Sequence, residues 1–349
     1  MKKTHIRILS LITILSSSVF FFGCSKKAEN TRSKEVVVYT YDSFISEWGP
    51  GPKLAQLFQE KTGYTVEFVD CGDGVQILSR ALLERKDTQA DILLGLDNNT
   101  AEDALKSDIL EAYLPKDAES VIDSELIALL DPQHKLIPYD YSHFALIYDT
   151  RSSVPEPHSL LDLTKGVYKK KIILMDPRTS TPGLGFVAWT RAIFGDAQSK
   201  VSFDDYWEAL KPNILTMAPG WSAGYGLFTN GEAPLVISYT TSPAANLEYD
   251  GIDYYKALVF DEGHYMQIEG AGILKDAPNK KLAKLFMDFL ISEEAQSELP
   301  LTQWMYPANK NVVLPPSYAK AAATPRKTVT TDVSTLYVAT DTAMAIIAQ

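Results

Sequence analysis

The sequence predicts an α/β protein of two lobes with a cleft between them, each lobe a doubly wound sheet flanked by helices. Three observations carry this expectation. Short apolar, β-rich runs alternate with helical runs from residue 35 onward, as in successive strand–helix–strand units. Runs such as "ADILLGL" at residues 90–96 are apolar almost throughout, as strands buried on both faces of a parallel sheet must be. The alternation comes in two series joined by long extended stretches, and these serve as crossover strands near residues 137–142 and 260–268.

In order along the chain, "VVVYTY" (36–41) opens the first series as a strand. "PGPKLAQLFQEKTG" (50–63) follows as a helix, with Pro52 in its first turn, Leu54, Leu57 and Phe58 on one stripe and Gly63 as its stop. A strand at 64–70, a helix at 73–86 and the strand at 90–96 complete that series. The second series holds the strand "KKIILMDP" (170–177), a helix from about Gly183 to Phe194 and the strand "APLVISY" (233–239). Two extended runs within 254–278 lead to the amphipathic helix "NKKLAKLFMDFLISEEAQSEL" (279–299), and a terminal helix is expected from about Asp332. This ordering places lobe 1 at residues 36–138 and 265–349 and lobe 2 at 139–264.

The first residues are of another kind. "MKKTHIRILSLITILSSSVFFFGC" sets Lys2, Lys3 and Arg7 before an apolar core from Ile8 to Phe22, the form of an export signal rather than a spanning helix. Its end, Phe21-Phe22-Gly23-Cys24 followed by polar "SKKAENTRSK", resembles the signal of bacterial lipoproteins, with Phe21 where leucine is usual. On this reading residues 1–23 are removed, Cys24 is the lipidation site and 24–35 are a tether. Loss of three positive charges then takes the formal net charge from −11 to −14. So acidic a chain is a poor partner for nucleic acid. If Cys24 carries lipid, Cys71 has no disulfide partner.

Ligands of open α/β sheets bind beyond the carboxyl ends of the strands, so the residues after the strands are the candidates. Tyr41 and Trp48 bracket the turn in "YTYDSFISEWGPGP" (39–52). Asp73 and Gly74 in "DCGDGVQIL" (70–78) sit where a strand passes into a helix; Asp73 there caps the helix or meets a ligand, two compatible roles. In "MDPRTSTPGLGF" (175–186), Ser180 and Thr181 stand before Pro182 and Gly183 at a helix start. Free N–H groups with hydroxyls beside them form an anion site, although this is no Walker loop, since the Gly-Lys-Ser/Thr ending is absent. "SYTTSPA" (238–244) repeats the strand, hydroxyl and helix arrangement with Tyr239, Thr240, Thr241, Ser242 and Pro243. Trp221 lies between these two elements, and Trp304 comes from "QWMYP" (303–307).

Aromatic faces attract a flat cationic ring by about 1–2 kcal/mol when desolvated, and hydroxyls with helix N-termini suit a hydroxyl or phosphate tail. Thiamine and its phosphates have both. The blocks "VYTYDSF", "WGPGP", "GLDNN", "DPRTSTPGLG", "GWSAGYGLF", "SYTTSPA", "EGHY" and "WMYP", in this order over roughly residues 36–318, closely resemble the periplasmic thiamine-binding proteins of bacterial ABC importers. The resemblance implies a two-lobed periplasmic-binding-protein fold, type II-like, closing on thiamine, thiamine monophosphate or thiamine diphosphate. It also implies delivery to a membrane permease and its ATPase, with no cofactor, no metal and no covalent chemistry. By matching motif it makes Asp73, Gly74, Ser180, Thr181, Trp221 and Tyr239 through Pro243 ligand contacts, with Tyr41, Trp48 and Trp304 as further aromatic surface. Ala245 stands where family members often carry an aromatic, which leaves one ligand face less covered. The expected location is periplasmic, held at the membrane by the Cys24 lipid.

Two other classes compete. A thiamine-degrading enzyme of similar architecture would use a cysteine nucleophile, and Cys71 lies two residues from Asp73. A catalytic thiol needs a lowered pKa and a base in reach, and no sequence feature identifies that base. A same-fold receptor for ferric ion would draw on Tyr254, Tyr255 and His264, yet strand alternation sends adjacent tyrosines to opposite faces. A polyamine receptor would want several carboxylates in the cleft.

Overall fold

The computed structural model describes residues 34–349; the expected signal, Cys24 and almost all of the tether lie outside the described residues. In lobe 1, Glu35–Thr40 pairs in parallel with Thr65–Asp70 on one side and Ile92–Asp97 on the other. The antiparallel strand His264–Leu274 joins beyond Ile92–Asp97 and pairs in turn with Ile137–Asp149. In lobe 2, Leu235–Tyr239 pairs with Ile137–Asp149 and with Ile172–Met175, which lies beside Ile214–Ala218. One mixed sheet thus runs through both lobes, with Ile137–Asp149 shared between them. Strand Ile214–Ala218 and helix Trp221–Thr229 are additional to the elements expected.

Side-chain packing separates the lobes. One core is built on the strands Glu35–Thr40 and Ile92–Asp97 and the helix Lys280–Leu290, with Val66, Phe68 and Val69 of Thr65–Asp70 packed against it, and it ends at Tyr139 on the shared strand. The other begins at Phe144 on the same strand and includes Trp189, Tyr206 and Trp207. Between Tyr139 and Phe144 the backbone passes from one core to the other, so bending there disturbs neither.

The C-terminal segment departs from the expected division. Residues 265–349 do not all belong to lobe 1, because Leu336, Ala339, Ala343 and Ile346 of the helix Leu336–Ala348 pack into the lobe 2 core. Thr328–Val329 first pairs with His264–Tyr265, which delivers the chain to the far lobe, and Lys211 Nζ donates to the Ile346 carbonyl at 2.9 Å. The three- and four-residue spacing of that stripe identifies its apolar face but not the surface it covers. Leu336→Ala is expected to cost about 2 kcal/mol, read as a lower urea midpoint, with no change in ligand affinity because the helix is remote from the cleft. An unchanged midpoint would show that the helix is not docked.

Candidate functional site

A narrow pocket lies between the lobes. Lobe 1 contributes Tyr41, Trp48, Asp73 and Gly74, and lobe 2 contributes Thr181, Trp221 and Tyr239. Trp304 enters from the chain returning to lobe 1, with Gln303 and Met305 beside it. Eight of the thirteen expected ligand residues therefore meet around one space.

Asp73 does not cap its own helix; its side chain makes no bond to that helix's free N–H groups. Instead it crosses the cleft. Its Oδ1 accepts from the Thr181 N–H at 2.7 Å and its Oδ2 from the Trp221 N–H at 3.2 Å. Those two N–H groups open the helices Thr181–Phe194 and Trp221–Thr229, so one carboxylate from lobe 1 sits where two lobe 2 helix dipoles converge. Burial raises the Asp73 carboxyl above its ordinary value, opposed by these backbone donors. Gly74 follows because the lobes touch there: a Cβ would stand 2.6 Å from Thr181 Oγ1.

Three tryptophans form the aromatic wall. Ring centroids of Trp221 and Trp304 are 5.3 Å apart at 88°, and Trp48 lies 5.8 Å from the first and 6.1 Å from the second. Trp221 is oriented by its Nε1–H bond to Ser238 Oγ at 2.9 Å and by stacking on Tyr225 at 5.0 Å. Trp304 adopts φ 61°, a conformation rare for a bulky side chain and found where surrounding structure imposes it. Trp48 remains 47% exposed, a face open to the entrance. A wider hollow beyond the trio is lined by Tyr225, Asn246 and Tyr249.

The second hydroxyl run does not line the pocket. Thr240, Thr241, Ser242 and Pro243 are buried behind it. Thr241 donates to the Trp304 carbonyl and its Oγ1 lies 3.1 Å from Ser142 Oγ, while Thr240 Oγ1 is 3.3 Å from Ser142 Oγ. Ser242 Oγ pairs with Ser238 Oγ at 2.8 Å. These hydroxyls satisfy one another and fix the strand end, so the second strand, hydroxyl and helix arrangement presents no donors to the pocket. Ser180 is also fully buried, and its side chain acts on the Asp73 carboxyl instead of lining the pocket. Arg178 points away and forks onto Asp176.

Sequence reasoning missed Glu269, which lines the pocket from the middle of the strand His264–Leu274. Its Oε2 accepts from Tyr41 OH and Tyr139 OH, each at 2.9 Å, and its Oε1 from Gln267 Nε2 at 2.8 Å. It faces Asp97 on one neighbouring strand and Asp140 on the other. Burial pushes the Glu269 carboxyl up to about 7 and the Asp97 carboxyl to about 6, and holds Asp140 well above the carboxylate range. The available signal was an acid placed in an otherwise buried strand pattern.

Cys71 is half-buried outside the pocket, against Arg80 and the Val69 carbonyl. Burial pushes its thiol up to about 11. His264 is structural: Nδ1 lies 2.8 Å from the Phe144 carbonyl and Nε2 accepts from the Phe260 N–H at 2.7 Å. Among the described residues no group of three or more His, Cys, Asp or Glu is arranged to hold a metal ion.

Residues 53–326 match the family model described as bacterial extracellular solute-binding protein. The chain is 40% identical over 324 residues to the thiamine-binding periplasmic protein of Brucella suis, covering 92% of each chain. It is 37% identical over 287 residues to the protein of that name from Escherichia coli K12, covering 82% of this chain and 84% of the relative. A solved periplasmic thiamin binding protein superposes with a TM-score of 0.82 at 34% identity, covering 90% of this chain and 96% of that one. The ferric binding protein from Campylobacter jejuni, at 19% identity and a TM-score of 0.70, shares the two-lobed fold alone.

Proposed function

The chain belongs to the bacterial extracellular solute-binding proteins, and from that premise we propose that it captures thiamine or its phosphates between its lobes for an ABC importer. The observation that carries the reading is the interlobe pocket itself: three tryptophans surround a space beside two convergent helix N-termini. The aromatic wall receives the cationic ring, and the Thr181 hydroxyl, beside the N–H that Asp73 already takes, receives the alcohol or phosphate. Tyr41, Trp48, Asp73, Gly74, Thr181, Trp221, Tyr239 and Trp304 are the contacts, while Ser180 and Thr240 through Pro243 position them. Contacts to both lobes favour the closed state by differential affinity. A permease and ATPase take the ligand onward, and a lipid on Cys24 holds the receptor at the periplasmic face of a membrane.

Titration calorimetry of residues 25–349 with thiamine, its monophosphate and its diphosphate tests this. One-to-one binding with the ligand recovered intact is expected. Separated pyrimidine and thiazole products would overturn the receptor reading.

Two observations at Cys71 weigh against the enzyme alternative. With the thiol at about 11, the thiolate is on the order of one part in ten thousand at neutral pH, and the sulfur does not line the pocket. Cys71→Ser is expected to bind thiamine within about twofold of the unaltered protein, and iodoacetamide to label Cys71 more slowly than a free cysteine. Rapid labelling would contradict this.

A further inference from the structure

The described lobes place three carboxyls in a row across the centre of the shared sheet. Glu269 pairs directly with Asp97 on one side and with Asp140 on the other, and directly opposed residues in antiparallel strands project to the same face. Their residues are 5%, 1% and 0% exposed. No salt bridge among the described residues reaches any of the three. Asp140 is wholly buried, and its carboxyl faces no polar partner but Glu269. Buried carboxylates are normally matched by a cation or carry a proton. Here the end of the row that reaches the pocket is Glu269.

We propose that this row is the counter-charge for the ligand's cation: it shares a proton while the cleft is empty and gives it to solvent when the cation enters. The inference rests on the thiamine reading above. The groups facing Glu269 are acidic or neutral on every element around it. They are Asp97 on strand Ile92–Asp97, Tyr139 and Asp140 on Ile137–Asp149, Tyr41 after the first strand, Gln267 on its own strand and Gln303 before Tyr306. Tyr239, also in the pocket, is held protonated by burial and by these same charges. Two carboxyls this close titrate as a pair. With Glu269 at about 7 when empty, the pair keeps a proton below neutrality. A nearby cation favours the charged form and lowers that value. Proton release on binding therefore grows as pH falls through 7, and affinity declines in the same direction.

The test is calorimetry of residues 25–349 with thiamine at pH 6.5, in phosphate and in imidazole buffer, whose ionisation heats differ. Expected is release of about 0.5–1 proton per thiamine and an affinity that falls by up to about tenfold per pH unit below neutrality. Glu269→Gln removes the site of the proton, and Asp97→Asn removes a like charge that helps to keep it on Glu269. Each should bring the release towards zero while circular dichroism shows the fold retained. A purely structural role would alter affinity and leave the proton count unchanged. Thiamine binding with equal heats in both buffers, or release that persists in Glu269→Gln, overturns the counter-charge. No heat with thiamine in either buffer overturns instead the ligand reading on which it rests.

Discussion

Asp73→Ala is expected to weaken thiamine binding by about two orders of magnitude and to let the ligand-free lobes part. Its carboxylate joins the N-terminal N–H groups of two lobe 2 helices to lobe 1. A hydrogen bond to a charged group contributes about 1.5–3 kcal/mol, and the helix termini add to it. At 3.2 Å the bond from Trp221 is long, so the lower end of that range applies. Two such bonds come to roughly 3 kcal/mol, or about 100-fold in a binding constant.

Small-angle scattering separates the two parts of this effect. In the ligand-free variant the radius of gyration should rise, since the closed arrangement has lost its bridge. Asp73→Asn keeps an acceptor oxygen but not the charge, and should fall between the two proteins in both affinity and compactness. An alanine variant that binds normally and stays compact would show that Asp73 neither holds the lobes nor touches the ligand. Thermal stability should change little, because each lobe keeps its own core.

How far the site was legible in the sequence follows from where each residue lies. Tyr41, Asp73 and Thr181 were legible because they directly follow strands, and the ends of parallel strands converge on one side of a sheet. Thr240 and Ser242 occupy the same kind of position, yet they turn inward because Ser142 and Ser238 stand ready to bond them. A string of hydroxyls looks the same whether it faces a ligand or its own strand. Glu269 was hidden for a different reason. It is not at a strand end but in the middle of one, beside irregularities in the strands on either side. The pairing slips by one residue at Gly95 on one neighbour and at Tyr139 on the other. Bulges of this kind re-aim nearby side chains, and no periodicity reveals them. The terminal helix shows the same limit at the scale of the lobe, since its apolar stripe suits either core equally.

The bulge at Gly95 supports the second large effect. Gly95 has φ 106°, and a Cβ there would lie 2.4 Å from Tyr41 Cε1 and 3.1 Å from Ile77 Cδ1. Gly95→Ala therefore imposes backbone strain of about 1 kcal/mol or more and a steric clash of about 1–3 kcal/mol. Together these should lower stability by roughly 3 kcal/mol, or Tm by about 4–5 °C in a chain of this size. The clash has a direction. Tyr41 must move, and its hydroxyl holds Glu269, Tyr139 and Gln303 together. Binding should fall at least tenfold although the mutated residue makes no ligand contact. A double-mutant cycle with Tyr41→Ala measures the connection. If the ring carries the effect, Gly95→Ala costs little further affinity once Tyr41 is gone, while the strain part of the Tm loss persists. Additive losses in affinity would mean that Gly95 acts on the pocket by some route other than Tyr41, and that the bulge does not aim the site.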